Sequence, residues 1–349
     1  MTRHRRRARW VASVAAASAA AIGVGLASLM PLAWQGSVAL AEVQSPLSPL
    51  PAPPALDPAR VKLGKALFHD PILSSRQALA CSSCHDLSRG GTIRRDRSVG
   101  YDGRVHEFNV PTLFNVANNY RMGWRGQLTS LSDKTDQVLT APNLMANDWE
   151  TLLPRLRRSH AYGARFLAAY GRPPDREAVL DALVSFQRSL ATPNAPFDRF
   201  LKGDEGAITP QQRVGYELFR SYGCASCHQG SNVGGNMSQI FGVFPGVEGP
   251  RPDSVQPHPA GAPAASLADA ADERNVYRVP SLRNVAVTAP YFHDGRTDSL
   301  REAVDIMGRS QLGRMLTEAE IAAIAAFLES LTGEYDGKPL VAAPVEDRR

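Results

Sequence analysis

The sequence predicts a mainly α-helical chain made of two related halves, and three observations carry that prediction. Asp57-Pro58 and Thr209-Pro210 each read as an N-cap followed by proline at the first helical position. A C-x-x-C-H motif follows each of these openings, at Cys81 and at Cys224. The string "VPTLFNVA" at Val110 returns as "VPSLRNVA" at Val279, and this spacing from Val110 to Val279 recurs elsewhere. Alternating apolar and polar runs are few, so only short strands are expected.

The elements follow in chain order. Residues 1–41 have the layout of a secretory leader. Five arginines lie within the first nine residues, an alanine-rich apolar run extends from Val11 to about Leu32, and Ala39-Leu40-Ala41 supplies a small-x-small cleavage signal. An uncleaved run of that length would be long enough to anchor the chain in a membrane, but the placed cleavage signal favours removal and export to the periplasm. No second run of that kind occurs. Without the leader, 34 Lys and Arg face 34 Asp and Glu, so the basic balance of the whole chain says nothing for nucleic acid as a partner.

Residues 42–57 are proline-rich and lack a packing pattern, so a linker is expected there. Two domains then follow, over 58–200 and 201–340. Each opens with a helix carrying Gly-x-x-Leu-Phe, Gly64 to Phe68 in the first and Gly215 to Phe219 in the second. The offset that relates Val110 to Val279 also takes Gly126 to Gly295 and Ser130-Leu131 to Ser299-Leu300, as an internal duplication would. Val179, Leu183, Phe186 and Leu190 recur at helical spacing and mark a core helix. Thr317 and Glu320 stand at capping-box spacing before another helix. Residues 245–274, rich in Pro, Ala, Gly and Asp, read as a surface insertion.

All four cysteines fall in the two C-x-x-C-H motifs. In an exported chain four cysteines would ordinarily suggest disulfides, but a bridge inside C-x-x-C closes a very small loop. A zinc cluster needs four converging ligands and has no use for a histidine directly after each pair. The pattern is that of covalent c-type haem attachment, in which two thiols form thioethers and the next histidine reaches the iron. Cys81, Cys84 and His85 would hold one haem, and Cys224, Cys227 and His228 a second.

With those residues in view, the ordered series "LGKALFHDPILS", the two haem motifs, "NVPTLFN", "VPSLRNVAVTAPYFHDG" and "SLREAVDIMGRSQLG" resembles the bacterial dihaem cytochrome c peroxidase superfamily across residues 58–333. That superfamily includes the methylamine-utilisation, or MauG-like, maturation oxidases. The resemblance implies an exported enzyme in which the C-terminal haem accepts electrons from a small cytochrome c or cupredoxin. The N-terminal haem would reduce hydrogen peroxide to water. It places Met307 as second axial ligand of the C-terminal haem, beside His228, and a His/Met pair suits an electron-transfer iron. It places Trp124 between the haems and Asn109, Thr288 and Pro290 at a calcium site, where amide and carbonyl oxygens are suitable donors. His293 would be structural or part of the communication between haems. Family members are often dimers, so a homodimer is an expectation too.

Two positions depart from the pattern. Tyr101 stands where well-known members have a distal histidine, and Leu144 stands where they have a glutamate used in O–O cleavage. Leucine cannot move a proton. His106, on the same loop as Tyr101, could reach the iron either as ligand or as the proton carrier for that task, and Tyr101 is a candidate iron ligand. Two rival functions follow from these departures. One is an oxidase acting on a partner protein, although the relatives of that kind carry tyrosine at the Met307 position. The other is a dihaem electron carrier without peroxide chemistry.

Overall fold

Two helix crossings, each seated on a glycine, set the architecture of this computed structural model, which describes residues 45–244 and 275–342. The expected leader and the 245–274 insertion lie outside the described residues. Helix α1 (Pro58–Phe68) crosses α5 (Arg176–Ser189), after α2 (Leu131–Thr140), α3 (Trp149–Arg158) and α4 (His160–Tyr170) have intervened in sequence. Helices α6 (Pro196–Leu201) and α7 (Pro210–Ser221) lead into the second half, where α8 (Leu300–Leu312) and α9 (Glu318–Glu329) follow, and α9 crosses α7.

The shared Gly-x-x-Leu-Phe signature has a steric cause. A Cβ on Gly64 would stand 1.9 Å from the Ala182 carbonyl oxygen, and one on Gly215 would stand 1.8 Å from that of Ala323. Only glycine lets the two helices of each half approach this closely. Leu63, Leu67 and Phe68 of α1 then pack with Val179, Leu183 and Phe186 of α5 in one core. Tyr216 and Phe219 of α7 pack with Ile324 and Phe327 of α9 in the other. The caps read from sequence are present: Asp57 accepts from the Ala59 and Arg60 amides, and Thr209 and Thr317 form capping boxes with Gln212 and Glu320.

The duplication extends to backbone detail. Asn115 and Asn284, equivalent under the repeat, both adopt left-handed φ, at 58° and 62°, a region that asparagine tolerates better than most residues. Both are buried, and both donate to the Thr192 hydroxyl, at 2.7 and 2.9 Å. Thr192 therefore fastens the two halves at equivalent points. The single β-bridges Met122–Leu128 and Tyr291–Thr297 are likewise equivalents under the repeat. Strands are short, as expected: β1 (Ser238–Ile240) pairs antiparallel with β2 (Val276–Arg278), and β3 (Glu334–Tyr335) with β4 (Lys338–Pro339).

The absence of packing expected over 42–57 is corrected at residues 45–50. Leu47 and Leu50 are 2% and 7% exposed, and Leu47 belongs to the core of the second half. The Pro46 carbonyl accepts from Gly230 N at 2.8 Å, and that of Ser48 accepts from Arg283 Nη2 at 3.0 Å. Two leucines flanked by prolines show no helix or strand period, yet both are buried. Residues 51–55 are exposed and behave as a connector to α1. In exchange, Tyr335 and Leu340 from the end of the chain pack on the core of the first half. Among the described residues no helix is long and apolar enough to cross a membrane.

Candidate functional site

Both C-x-x-C-H motifs fold into the same tight turn. Cys81–Ser83 and Cys224–Ser226 are single 3₁₀ turns, and the amides of His85 and His228 each donate to the carbonyl of the first cysteine at 3.0 Å. The four thiols are not in disulfides. Burial pushes the Cys81 thiol up to about 12 and that of Cys224 to about 11. Burial thus favours the unionised thiol at both positions.

The two histidines are prepared as neutral ligands. Burial pulls both His85 and His228 down to about 4, which leaves a lone pair free at neutral pH. The Gly91 carbonyl lies 3.2 Å from Nδ1 of His85. That contact orients the ring and leaves Nε2 for a metal, in the usual manner of ligating histidines. Nδ1 of His228 is buried without a hydrogen bond of ordinary geometry, although the Val233 and Pro280 carbonyls lie near enough to favour a proton there.

A cavity of about 480 Å³ opens beside the second motif, within the ~300–1,000 Å³ range of small-molecule and cofactor sites. Cys224, Cys227, His228 and Met307 line it together with Val279, Leu282 and Leu328. Two thiols, a neutral imidazole, a thioether and apolar walls fit a covalently held haem. Asn109, Trp124, Thr288, Pro290 and His293 line the same cavity, so nine of the residues singled out in the sequence converge on one space.

The link between halves is part of its wall. Trp124 Nε1 donates to the Asn109 carbonyl at 2.8 Å, and its ring meets His293 edge-on with centroids 6.3 Å apart. His293 in turn stacks on Tyr277 at 4.0 Å. Trp124 and His293 occupy the same place in the two copies of the repeat, so equivalents in the duplication touch one another. Asn109 N donates to the His293 carbonyl at 2.7 Å, and Arg278 N donates to the Trp124 carbonyl at 2.7 Å. Asn109 and Arg278 are a second equivalent pair, each standing directly before Val-Pro. Nδ2 of Asn109 donates to the Arg95 and Asp96 carbonyls at 3.1 and 3.0 Å.

Tyr101, His106 and Leu144 lie in the first half on two adjoining loops. Ser98 and His106 close one loop through a 2.8 Å hydrogen bond from His106 N to the Ser98 carbonyl, and Tyr101 N donates to Asn143 O at 3.2 Å. That bond brings Leu144 beside the Tyr101 loop. The Tyr101 hydroxyl accepts from the Arg76 amide. Against a desolvation that raises it, hydrogen bonds from Ser75, Arg76 and Ser74 and the Arg76 charge hold this phenol below its ordinary pKa. Burial lowers the His106 imidazole, and the Asp102 carboxylate partly offsets this. Sequence reasoning missed Arg278, whose only signal was its equivalence to Asn109 under the repeat.

Two covalent-attachment motifs, each ending in a histidine held neutral, in a duplicated helical scaffold define a dihaem c-type cytochrome. The chain belongs to the di-haem cytochrome c peroxidase family: that family's model matches residues 58–206, and the cytochrome c model matches residues 213–332. It is 37% identical over 83% of its length to cytochrome c peroxidase Ccp of Escherichia coli, of which it spans 62%. It is 35% identical to the cytochrome c551 peroxidase of Nitrosomonas europaea, covering 89% of this chain and 91% of that one. The fold also matches a crystal structure described as a MauG-like protein associated with microbial copper homeostasis. There the TM-score is 0.68 at 24% identity, covering 83% of this chain and 94% of the other.

Proposed function

We propose that the chain is an exported, periplasmic peroxidase. It takes electrons from a small cytochrome c or cupredoxin at the C-terminal haem and reduces hydrogen peroxide to water at the N-terminal haem. One asymmetry within the duplication supports this division of labour above all. Met307 stands eight residues after the N-cap Ser299 of α8, and its equivalent, eight residues after the N-cap Ser130 of α2, is Val138. A thioether can close the sixth position of an iron; an isopropyl group cannot. One site is thereby suited to electron transfer and the other to a substrate.

The remaining roles follow from that reading. Trp124, in contact with His293, carries the coupling between halves. Asn109, Thr288 and Pro290 offer amide and carbonyl oxygens to a calcium ion at the same junction. His106 serves as proton carrier for peroxide, while Tyr101, engaged by the Arg76 amide, fastens the loop. The direct test is peroxide turnover with a reduced donor protein, measured on calcium-loaded, half-reduced protein. Absence of turnover under those conditions would transfer the lead to the electron-carrier reading.

Two further outcomes are expected. Denatured protein should keep two haems on a gel, and Cys81→Ala combined with Cys84→Ala should keep one; loss of all haem from the wild type would sink covalent attachment. Met307→His should lower the potential of the C-terminal haem, because a thioether favours reduced iron more than an imidazole does. An unchanged potential and spectrum in a redox titration would exclude Met307 as ligand.

A further inference from the structure

Arg278 is a cation that the fold buries without neutralising. It closes β2 and is 5% exposed. Its Nε donates to the Gly123 carbonyl at 2.9 Å, but Nη1 is buried with no hydrogen-bond partner. The other deeply buried arginine, Arg283, has Asp198 at 2.8 Å; no carboxylate pairs with Arg278 among the described residues. Burial alone pushes its guanidinium down to about 10. An uncompensated buried charge is strongly unfavourable, so a partner should lie in the cavity that Arg278 lines with His228 and Met307.

The duplication shows that the backbone has no need of this charge. The equivalent residue, Asn109, makes the matching hydrogen bond to His293 O at 2.7 Å with a neutral side chain. The arginine therefore answers to something particular to the second half. A guanidinium fork is shaped for a carboxylate, and a haem brings two carboxylates into a cavity that is otherwise largely apolar.

We propose that Nη1 of Arg278 binds a carboxylate of the haem attached at Cys224 and Cys227, so that Arg278 positions that cofactor against the Gly123–Trp124 turn. Through Nε and its own amide, Arg278 already holds the Gly123 and Trp124 carbonyls. The same residue then grips both the cofactor and the turn carrying Trp124. This assignment rests on the reading of the cavity as the C-terminal haem site.

Spectroelectrochemistry of the full-length, haem-loaded protein tests it without peroxide. Arg278→Met should move the potential of the C-terminal haem to more negative values, because the unpaired carboxylate stabilises oxidised iron. The potential of the N-terminal haem should stay where it is, and Arg278→Lys should restore most of the shift. If Arg278→Met does not accumulate, Arg278→Gln, which can still donate to Gly123 without a charge, should show the same displacement relative to Arg278→Lys. Unchanged potentials in a variant that keeps both haems would overturn the proposal. So would a wild-type potential that varies with chloride or phosphate at constant ionic strength, since the guanidinium would then be holding a solution anion. A wild type inactive toward peroxide would defeat the peroxidase reading and leave these potentials standing, whereas an active wild type with unmoved Arg278 variants would do the reverse.

Discussion

Replacing His106 with alanine is expected to lower peroxide turnover by about 10²–10⁴-fold, the usual contribution of a positioned proton carrier, with both haems still attached and the C-terminal haem still reducible. The expectation follows from the proposed role of His106 as proton carrier. Its backbone closes the 98–106 loop onto Ser98 at 2.8 Å, and burial holds its pKa below 6.5. A downward shift favours the unprotonated imidazole that the proposed proton transfer between peroxide oxygens would need. Because the shift is downward, the competent form persists below pH 6.5 and is lost as pH falls through the depressed value. Leu144→Glu should raise turnover in the wild-type background, since residue 144 borders the same loop through the 3.2 Å bond from Tyr101 N to Asn143 O. Steady-state rates decide the matter, and if neither variant moves them the assignment of His106 is wrong.

The largest loss of stability is expected from Asp198→Ala. Asp198 and Arg283 are each 1% exposed and 2.8 Å apart, and the Leu50 amide donates to the same carboxylate at 3.1 Å. Removing the acid leaves a guanidinium buried without a counter-charge, which costs about 3–5 kcal/mol. It also releases the residue 45–50 segment, whose Ser48 carbonyl is held by Arg283 at 3.0 Å. Denaturant unfolding of the haem-loaded protein should show the midpoint falling accordingly. A change below about 1 kcal/mol would mean that the site readily admits water.

What the sequence disclosed depended on whether a residue's partners lay in a pattern. Gly64 and Gly215 were legible as a repeated Gly-x-x-Leu-Phe, and the structure supplies the reason, a backbone carbonyl standing 1.9 and 1.8 Å from where each Cβ would be. Val179, Leu183, Phe186 and Leu190 were legible because helical periodicity survives in a single sequence, and all four are buried. Leu47 and Leu50 were not, since a segment broken by prolines has no period and its groove is made by residues from the far half of the chain. Arg278 was hidden for a related reason. One arginine before Val-Pro carries no motif, and only the closing of two halves around Trp124 gives it a cavity to line. The haem motifs were the opposite case, because cysteines and histidine adjacent in sequence are adjacent in space.

The exchange of ends between the halves bears on how such a chain is built. Leu47, ahead of the first haem motif, completes the core of the second half, and Tyr335 and Leu340, behind the second motif, complete that of the first. A polypeptide threaded from its amino end thus delivers a first half whose lid has not yet been made, and a lid for a second half that does not yet exist. Each half therefore gains its full set of core contacts only when the other has been made and its end can dock.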